Sequence, residues 1–120
     1  MERLLFIMHI RPGMEAEYER RHASVWPALQ RNLYDAGWRN YSLFRRDREV
    51  YAYAECHPSI ADASAAIGRS PVNAEWADWF TDVLEAPPDE VGMVRADAVW
   101  HLDEALAASS ESNDPSRPGR

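Results

Sequence analysis

The sequence predicts one α+β domain, in which an antiparallel sheet is covered by helices on one face. Three observations lead to this prediction. The 120 residues suffice for one hydrophobic core but not for two. Apolar residues make up 46% of the chain, as in ordinary globular proteins. Strand-like and helix-like segments alternate in the order β-α-β-β-α-β, with each helical part in two pieces.

The first strand and the first helical part occupy the N-terminal third of the chain. Residues 3–10 are almost continuously apolar, which predicts a buried strand. Residues 14–36 predict a helix with acidic residues early and arginines late. Pro27 divides this helix into two abutting pieces or kinks it, and Ser24 is the expected N-cap of the second piece. Gly37 ends it.

A hairpin and a second helical part follow. Residues 40–46 and 49–56 are rich in Tyr, Phe and Val around a two-residue polar connection, the pattern of two paired strands. Residues 58–68 and 70–84 predict two helices, each with a serine and a proline near its start.

The C-terminal region completes the sheet and then loses its pattern. Residues 85–92 predict a loop, and residues 93–102 predict the last strand. From Glu104 onwards there is no apolar periodicity. We therefore divide the chain into a domain of residues 1–103 and a flexible tail of residues 104–120.

This order of elements is the ferredoxin-like arrangement, with a sheet whose second face is left without helices. Strands as apolar as residues 3–10 would expose a sticky patch on that face. The sequence therefore predicts a homodimer formed through the open sheet face.

Charge and composition exclude several classes of function. The net charge is −7 and no basic block is present, which argues against nucleic acid and anionic membranes as partners. No apolar stretch approaches the roughly 18 residues of a membrane span, and the N-terminus lacks the features of a signal peptide. All 13 basic residues are arginine, which excludes a Schiff-base or P-loop lysine. Because Cys56 is the single cysteine, we expect a reducing, cytoplasmic location.

The four histidines are the first candidates for reactive groups. His9, His22, His57 and His101 show no metal-binding spacing, and Cys56 and His57 point to opposite faces of a strand. Neither a metal nor a cofactor is expected. Tyr18 and His22, four residues apart on a helix, project together and form a candidate proton donor and acceptor pair. Core packing of Tyr18, with His22 bonded to a carbonyl, explains the same spacing, which by itself favours that interpretation.

Tryptophan is unusually frequent, and its positions also allow two interpretations. Such residues beside Tyr and Arg are typical of a sugar-binding pocket, whereas Trp76 and Trp79 with their apolar neighbours form an ordinary core stripe. The pattern alone favours the core. The five tryptophans are Trp26, Trp38, Trp76, Trp79 and Trp100.

Three segments resemble the L-rhamnose mutarotase family. They are the motif E-Y-x-x-R-H-x-x-x-W-P at residues 17–27, GWRNYSLF at residues 37–44 and EWADWFTDVL at residues 75–84. The resemblance covers about residues 1–102. It implies a dimeric α+β barrel that interconverts the α and β pyranose forms of a 6-deoxyhexose by acid–base ring opening, without a cofactor.

The resemblance also implies roles for individual residues. It places the proton donor, which protonates the ring oxygen, at His22. It places sugar-binding residues at Tyr18, Tyr41 and Trp76, and it leaves Trp79 in the core. Tyr18 is expected to bind the substrate and to relay the other proton. We leave open whether His9 and His101 reach the same pocket.

Two departures from the family pattern bear on the sugar. The family usually has two adjacent tryptophans where this chain has Trp76 and Ala77, and its NPDNSP loop is replaced by PPDEVG at residues 87–92. L-rhamnose is the expected substrate, with L-fucose or another 6-deoxyhexose as alternatives. A ferredoxin-like monooxygenase or cyclase acting on an aromatic molecule and a non-catalytic sugar-binding dimer remain the rival hypotheses.

Overall fold

The computed structural model describes residues 1–86 and 94–112, which form a four-stranded antiparallel sheet with five helices. The strands are β1 (Glu2–His9), β2 (Trp38–Arg46), β3 (Glu49–Cys56) and β4 (Val94–Ala96). The helices are α1 (Glu15–His22), α2 (Pro27–Asp35), α3 (Ile60–Gly68), α4 (Pro71–Trp79) and α5 (Leu102–Ser112). The strand order is β2-β3-β1-β4, and every neighbouring pair is antiparallel. The predicted ferredoxin-like α+β class is confirmed.

The helix starts follow the sequence signals in two of three cases. Ser59 and Ser70 cap α3 and α4, each accepting a hydrogen bond of 3.1 Å from a backbone N–H three residues later. The first helical part is two helices, α1 and α2, and Pro27 is the first residue of the second. The prediction that Ser24 caps α2 is wrong, because Trp26 takes the N-cap position without a side-chain bond.

A bulge shapes the hairpin of β2 and β3. Arg46 pairs with Glu49 around the predicted two-residue turn. Further along, the ladder runs from Arg39–Glu55 to Ser42–Tyr53, so that two residues of β2 face one of β3. Asn40 is the extra residue, with a positive φ of 48°.

Most of the hydrophobic core lies under the helices, against the middle of the sheet. Its polar atoms are paired: the indole N–H of Trp38 donates to the carbonyl of Ala63, at 3.1 Å. Along β1 and β3, buried residues alternate with partly exposed ones. One face of the sheet therefore packs against the helices, and the opposite face carries none of the described helices. We call the buried residues of this core the sheet-centre cluster, which consists of Leu4, Phe6, Trp38, Ala52, Ala54, Cys56, Ala63 and Ile67.

A second buried group lies where α1 meets the segment that follows α4. Backbone bonds hold that segment to the end of β1: Arg11 N–H donates to Val83 O at 2.7 Å, and Glu85 N–H donates to His9 O at 2.8 Å. We call the group the cavity-border cluster, because two of its members, Tyr18 and Phe80, line the cavity described below. It consists of Ile10, Tyr18, Val50, Phe80 and Val83.

The C-terminal third differs from the prediction in three respects. Helix α4 ends at Trp79, not near residue 84, and the chain continues in turns. Strand β4 has three residues rather than ten, and residues 97–101 have no regular secondary structure. The third difference is α5, which forms where no helix was expected and is tied to β1 by the Arg3–Glu104 ion pair at 3.0 Å.

Two sequence expectations fall partly or wholly outside this description. The loop of residues 87–92 lies outside the described residues. The division of the chain after residue 103 stays a prediction. No helix within residues 1–86 or 94–112 is long and apolar enough to cross a membrane.

Candidate active site

A cavity of about 720 Å³ lies between α1, the end of α4 and the sheet. All four residues that the sequence assigned to a site line it, and so does His9, whereas His101 does not. The lining residues are Ile7, Met8, His9, Arg11, Tyr18, His22, Tyr41, Leu43, Trp76, Ala77, Phe80, Thr81, Leu84, Glu85, Ala86 and Val94. Apolar walls with a few polar groups are typical of small-molecule sites.

The ring of Tyr18 belongs to the core, but its hydroxyl has no hydrogen-bond partner among the described residues. The side chain is 4% exposed and its ring lies edge-on to Phe80, with centroids 5.9 Å apart. In the described part of the chain, no hydrogen-bond partner exists for the buried hydroxyl. Burial raises the pKa of Tyr18, so the phenol keeps its proton. An unpaired buried O–H at a cavity is free to bind a ligand.

His22 ends α1 and stacks against Tyr18, with ring centroids 4.3 Å apart. Its Nδ1 lies 2.9 Å from the backbone carbonyl of Tyr18. Because a carbonyl oxygen only accepts, Nδ1 carries hydrogen and Nε2 of the neutral ring is a proton acceptor. Burial lowers the pKa of His22, against the smaller opposing effect of the carbonyl bond. The ring is therefore neutral at pH 7, although a helix C-terminus by itself favours the protonated form.

The core-packing interpretation of the Tyr18–His22 pair is confirmed, and the proton-transfer interpretation stays a prediction. The phenol ring does pack in the core, and the imidazole does bond a carbonyl. Each residue nevertheless keeps one polar atom uncommitted, the hydroxyl of Tyr18 and Nε2 of His22. Core packing thus fixes the two rings and leaves their reactive atoms available.

Three tryptophans form a cluster beside His22, and one of them, Trp76, lines the cavity. Trp76 lies edge-on to the imidazole, with centroids 5.3 Å apart, and Trp26 is edge-on to Trp76 at 5.0 Å. Trp79 stacks on Trp26 at 5.5 Å with 14° between the planes. The prediction that Trp79 belongs to the core is wrong, since 38% of its surface is exposed. The other two indoles are half-buried.

Tyr41 reaches the cavity from the sheet, because the bulge at Asn40 turns it toward the helices. Its ring contacts Trp38 and Phe6, with centroids 5.1 and 6.3 Å apart. Desolvation raises the pKa of Tyr41 to about 12, so this phenol also keeps its proton. Ala77 lines the cavity next to Trp76, and a methyl group is all it contributes there.

Arg21 joins the two elements that carry the site, and sequence reasoning missed it. Its guanidinium forms two bonds of 3.0 Å to the carboxylate of Asp82, a 2.7 Å bond to Glu17 and a bond to the carbonyl of Trp79. The side chain is 9% exposed. Hydrogen bonds from Arg20 and, to a smaller extent, from Arg21 lower the pKa of Glu17 to about 2. The i, i+4 spacing from Glu17 to Arg21 was a visible signal. The contacts to residues 79 and 82 were not visible.

Arg11 and Glu85 also line the cavity and were not predicted. Arg11 follows β1, and Glu85 follows the turns after α4. Their proximity depends on the backbone pairing between those two segments, for which no sequence motif exists.

The described residues include no group of three or more His, Cys, Asp or Glu side chains that could hold a metal ion. Cys56 lies in the sheet-centre cluster, where burial raises the pKa of its thiol.

Comparison with known proteins gives consistent results. The sequence profile of the L-rhamnose mutarotase family matches residues 3–102. L-rhamnose mutarotase of Opitutus terrae is 39% identical over 109 residues, covering 86% of this chain and all of that protein. L-rhamnose mutarotase of Phocaeicola vulgatus is 33% identical over 105 residues with the same coverage.

Two solved structures share the fold. L-rhamnose mutarotase of Formosa agariphila superposes with a TM-score of 0.69 at 25% identity, covering 84% of this chain and 98% of that one. Tetracenomycin F2 cyclase of Streptomyces glaucescens, a type-II polyketide cyclase, gives a TM-score of 0.61 at 17% identity with the same coverage. The second likeness establishes the fold alone.

Proposed function

The chain belongs to the L-rhamnose mutarotase family, and from this premise we propose that it interconverts the α and β pyranose anomers of L-rhamnose. The observation that carries the proposal is the Tyr18–His22 pair at the cavity wall, which combines a proton acceptor with an unpartnered phenol. Trp76 and Tyr41 line the same cavity.

Mutarotation needs little more than a positioned proton carrier. The anomeric hydroxyl O1 loses a proton, the ring oxygen O5 gains one, and the C1–O5 bond breaks to give the open-chain aldehyde. Rotation about C1–C2 and closure on the other face of the carbonyl yield the second anomer. Positioned acid–base catalysis contributes about 10²–10⁴-fold, and this suffices for a reaction that already proceeds in water.

We assign both proton transfers to Nε2 of His22. The neutral ring takes the proton from O1 and delivers it to O5 as the C1–O5 bond opens. O1 and O5 are both attached to C1, so one nitrogen can reach both of them. On closure the same nitrogen takes the proton from O5 and returns it to O1, and no net charge accumulates. His22 therefore still protonates the ring oxygen, as the family resemblance implies, but it acts as a base first.

The other site residues bind and orient the sugar. The Tyr18 hydroxyl donates a hydrogen bond to the oxygen on which negative charge develops, and its raised pKa keeps the proton on the phenol. Trp76 packs against the apolar face of the sugar ring, and Tyr41 donates to a hydroxyl group. Because Ala77 has no aromatic ring, Trp76 is the one indole that packs against the sugar at this position. L-fucose therefore remains an alternative substrate.

The test is saturation-transfer NMR of anomer exchange for L-rhamnose, L-fucose and D-glucose, each with and without protein. We expect the protein to accelerate exchange of L-rhamnose most. Acceleration of no sugar would refute the proposed function and would point to an aromatic ligand or to binding without catalysis.

We also propose a homodimer formed through the open sheet face. That face presents partly exposed apolar and aromatic side chains, including Leu5, Ile7 and Tyr53, and Phe44 is 61% exposed. Sedimentation analysis of the protein and of Phe44→Glu tests this proposal. We expect a dimer that the substitution dissociates, and a monomeric unsubstituted protein would contradict it.

Two smaller proposals complete this assignment. The protein works in the cytoplasm, in keeping with the one buried cysteine, and cell fractionation tests this. Residues 1–103 form the catalytic domain and residues 104–120 a dispensable tail. A chain ending at residue 103 should keep its rate of anomer exchange, and loss of that rate would contradict the division.

A further inference from the structure

Arg11 and Glu85 are charged residues of the cavity wall that the mechanism above does not use. Both follow elements that carry other parts of the site, and both are exposed. A charged side chain at the wall of a small-molecule cavity needs an explanation, because such walls are otherwise mainly apolar.

Arg11 is held in place from two directions. Its backbone N–H donates to Val83 O at 2.7 Å. Its side-chain Nε–H donates to the carbonyls of Thr81 and Leu84, at 3.3 and 3.1 Å. These bonds use Nε alone, and within the described residues neither terminal amino group has a hydrogen-bond partner. A fixed guanidinium with two uncommitted amino groups can hold oxygen atoms of a ligand without a large loss of side-chain entropy.

Glu85 supplies the complementary chemistry. Its backbone N–H donates to His9 O at 2.8 Å, which fixes the residue next to the end of β1. Its carboxylate has one cationic neighbour among the described residues, Arg48, at a long distance of 3.4 Å with both side chains half exposed. Most of its acceptor capacity is therefore available.

Donors and an acceptor together select uncharged hydroxyl groups. An anionic substituent would be attracted by Arg11 but repelled by Glu85, whereas a sugar hydroxyl can accept from the first and donate to the second. We propose that Arg11 and Glu85 are specificity-determining residues, which bind hydroxyl groups of an uncharged aldose at positions other than C1. This inference rests on the proposed function and adds the means by which the sugar is chosen.

The rival interpretation is that Arg11 only holds the turn of residues 81–84 in place. A purely structural role would slow anomer exchange by the same factor for every sugar. A binding role ties the loss to one hydroxyl group, because a hydrogen bond disappears equally when either partner is removed.

The experiment measures exchange of L-rhamnose and its 2-, 3- and 4-deoxy analogues at limiting substrate by NMR. The unsubstituted protein, Arg11→Met and Glu85→Gln are compared, with Arg69→Met on the exposed end of α3 as the matched control. We expect one analogue to react about 10- to 100-fold more slowly than L-rhamnose with the unsubstituted protein, as loss of a charge-assisted hydrogen bond predicts. Arg11→Met should slow L-rhamnose by the same factor and slow that analogue no further.

Two outcomes would overturn the inference without touching the proposed function. The first is an equal loss for all four sugars in Arg11→Met and Glu85→Gln. The second is unchanged exchange in both variants. Thermal unfolding of each variant identifies a misfolded protein. In that case Arg11→Lys replaces Arg11→Met, because lysine keeps the positive charge but lacks the paired N–H donors of the guanidinium. If the unsubstituted protein accelerates no sugar, the proposed function fails and this inference fails with it.

Discussion

Trp38 in the sheet-centre cluster and Tyr18 in the cavity-border cluster are equally buried aromatic residues with one polar atom each. They are 5% and 4% exposed. The indole N–H of Trp38 donates to Ala63 O at 3.1 Å, whereas the Tyr18 hydroxyl has no partner in the described part of the chain. An unpaired buried polar group destabilises a fold. The two clusters therefore differ, since the first pairs its polar side-chain nitrogen internally, whereas we propose that the hydroxyl in the second binds a ligand.

His22→Ala, next to Tyr18 of the cavity-border cluster, should give the largest effect. Removal of Nε2 removes the proton carrier, so we expect the catalysed exchange rate to fall by about 10²–10⁴-fold. The far-UV circular dichroism should not change. His57→Ala, at an exposed position outside the cavity, is the matched control and should keep the full rate. An undiminished rate in His22→Ala would exclude His22 from the mechanism.

Tyr18→Phe separates the two roles of the phenol. The ring stays in the core, but the hydrogen bond to the substrate oxygen disappears, and we expect exchange to slow by about 10- to 100-fold. The free energy of unfolding should stay the same or rise by up to about 1 kcal/mol, because an unpaired buried hydroxyl has been removed. Urea unfolding and NMR exchange on the same sample test both parts. Clear destabilisation would show that the hydroxyl has a partner within the protein.

Trp38→Phe is the matching change in the sheet-centre cluster, and its effect should be opposite in kind. It leaves a small void and removes the hydrogen bond to the carbonyl of Ala63, so we expect the free energy of unfolding to fall by about 1–3 kcal/mol. Exchange per folded molecule should fall by less than twofold, although Tyr41 contacts the indole. A large loss of activity in a folded variant would erase the distinction between the two clusters.

The smallest expected effect is a pH dependence that arises from His22, beside the cavity-border cluster. Because the pKa of His22 is lowered in the folded protein from its ordinary value of 6.5, the unfolded chain binds more protons just below that value. Stability from this group is complete above pH 6.5 and is lost as the pH falls toward the folded pKa. The exchange rate should fall as the pH decreases through the pKa of His22 in the folded protein, because imidazolium cannot accept the O1 proton.

Urea unfolding and exchange rates from about pH 8 to about pH 5 measure both trends. Tyr18→Phe retains the imidazole and should keep the slope of stability with pH, and His22→Gln should reduce it. A slope that is identical in His22→Gln and the unsubstituted protein would assign the titration to another group.

The fold could be predicted well wherever local chemistry decides it. Ser59 and Ser70 cap helices through bonds to residues three positions away, and the hairpin turn joins neighbouring strands, so both lie within a short window of sequence. The C-terminal strand was predicted too long and α5 was missed. The end of α4 at Trp79 depends on backbone bonds from the distant end of β1, which no local pattern records.

The site was predictable in part, and the reason is similar. Tyr18 and His22 are one helical turn apart, so their meeting follows from periodicity, although only the family resemblance distinguished them from core. Arg21, Arg11 and Glu85 acquire their places through contacts 61 to 76 residues distant in sequence. The same holds for Trp79, whose exposure reflects where α4 stops.

The cluster of Trp26, Trp76 and Trp79 has an optical consequence. Three indoles with centroids 5.0 to 5.6 Å apart are close enough for their excited states to couple, and rings that cross at an angle convert this coupling into circular dichroism. Trp76 also lies against His22, and protonated imidazole quenches indole emission. The circular dichroism of the indole band should therefore show whether the three tryptophans are packed together. The intrinsic fluorescence should show whether His22 is protonated, without any attached dye.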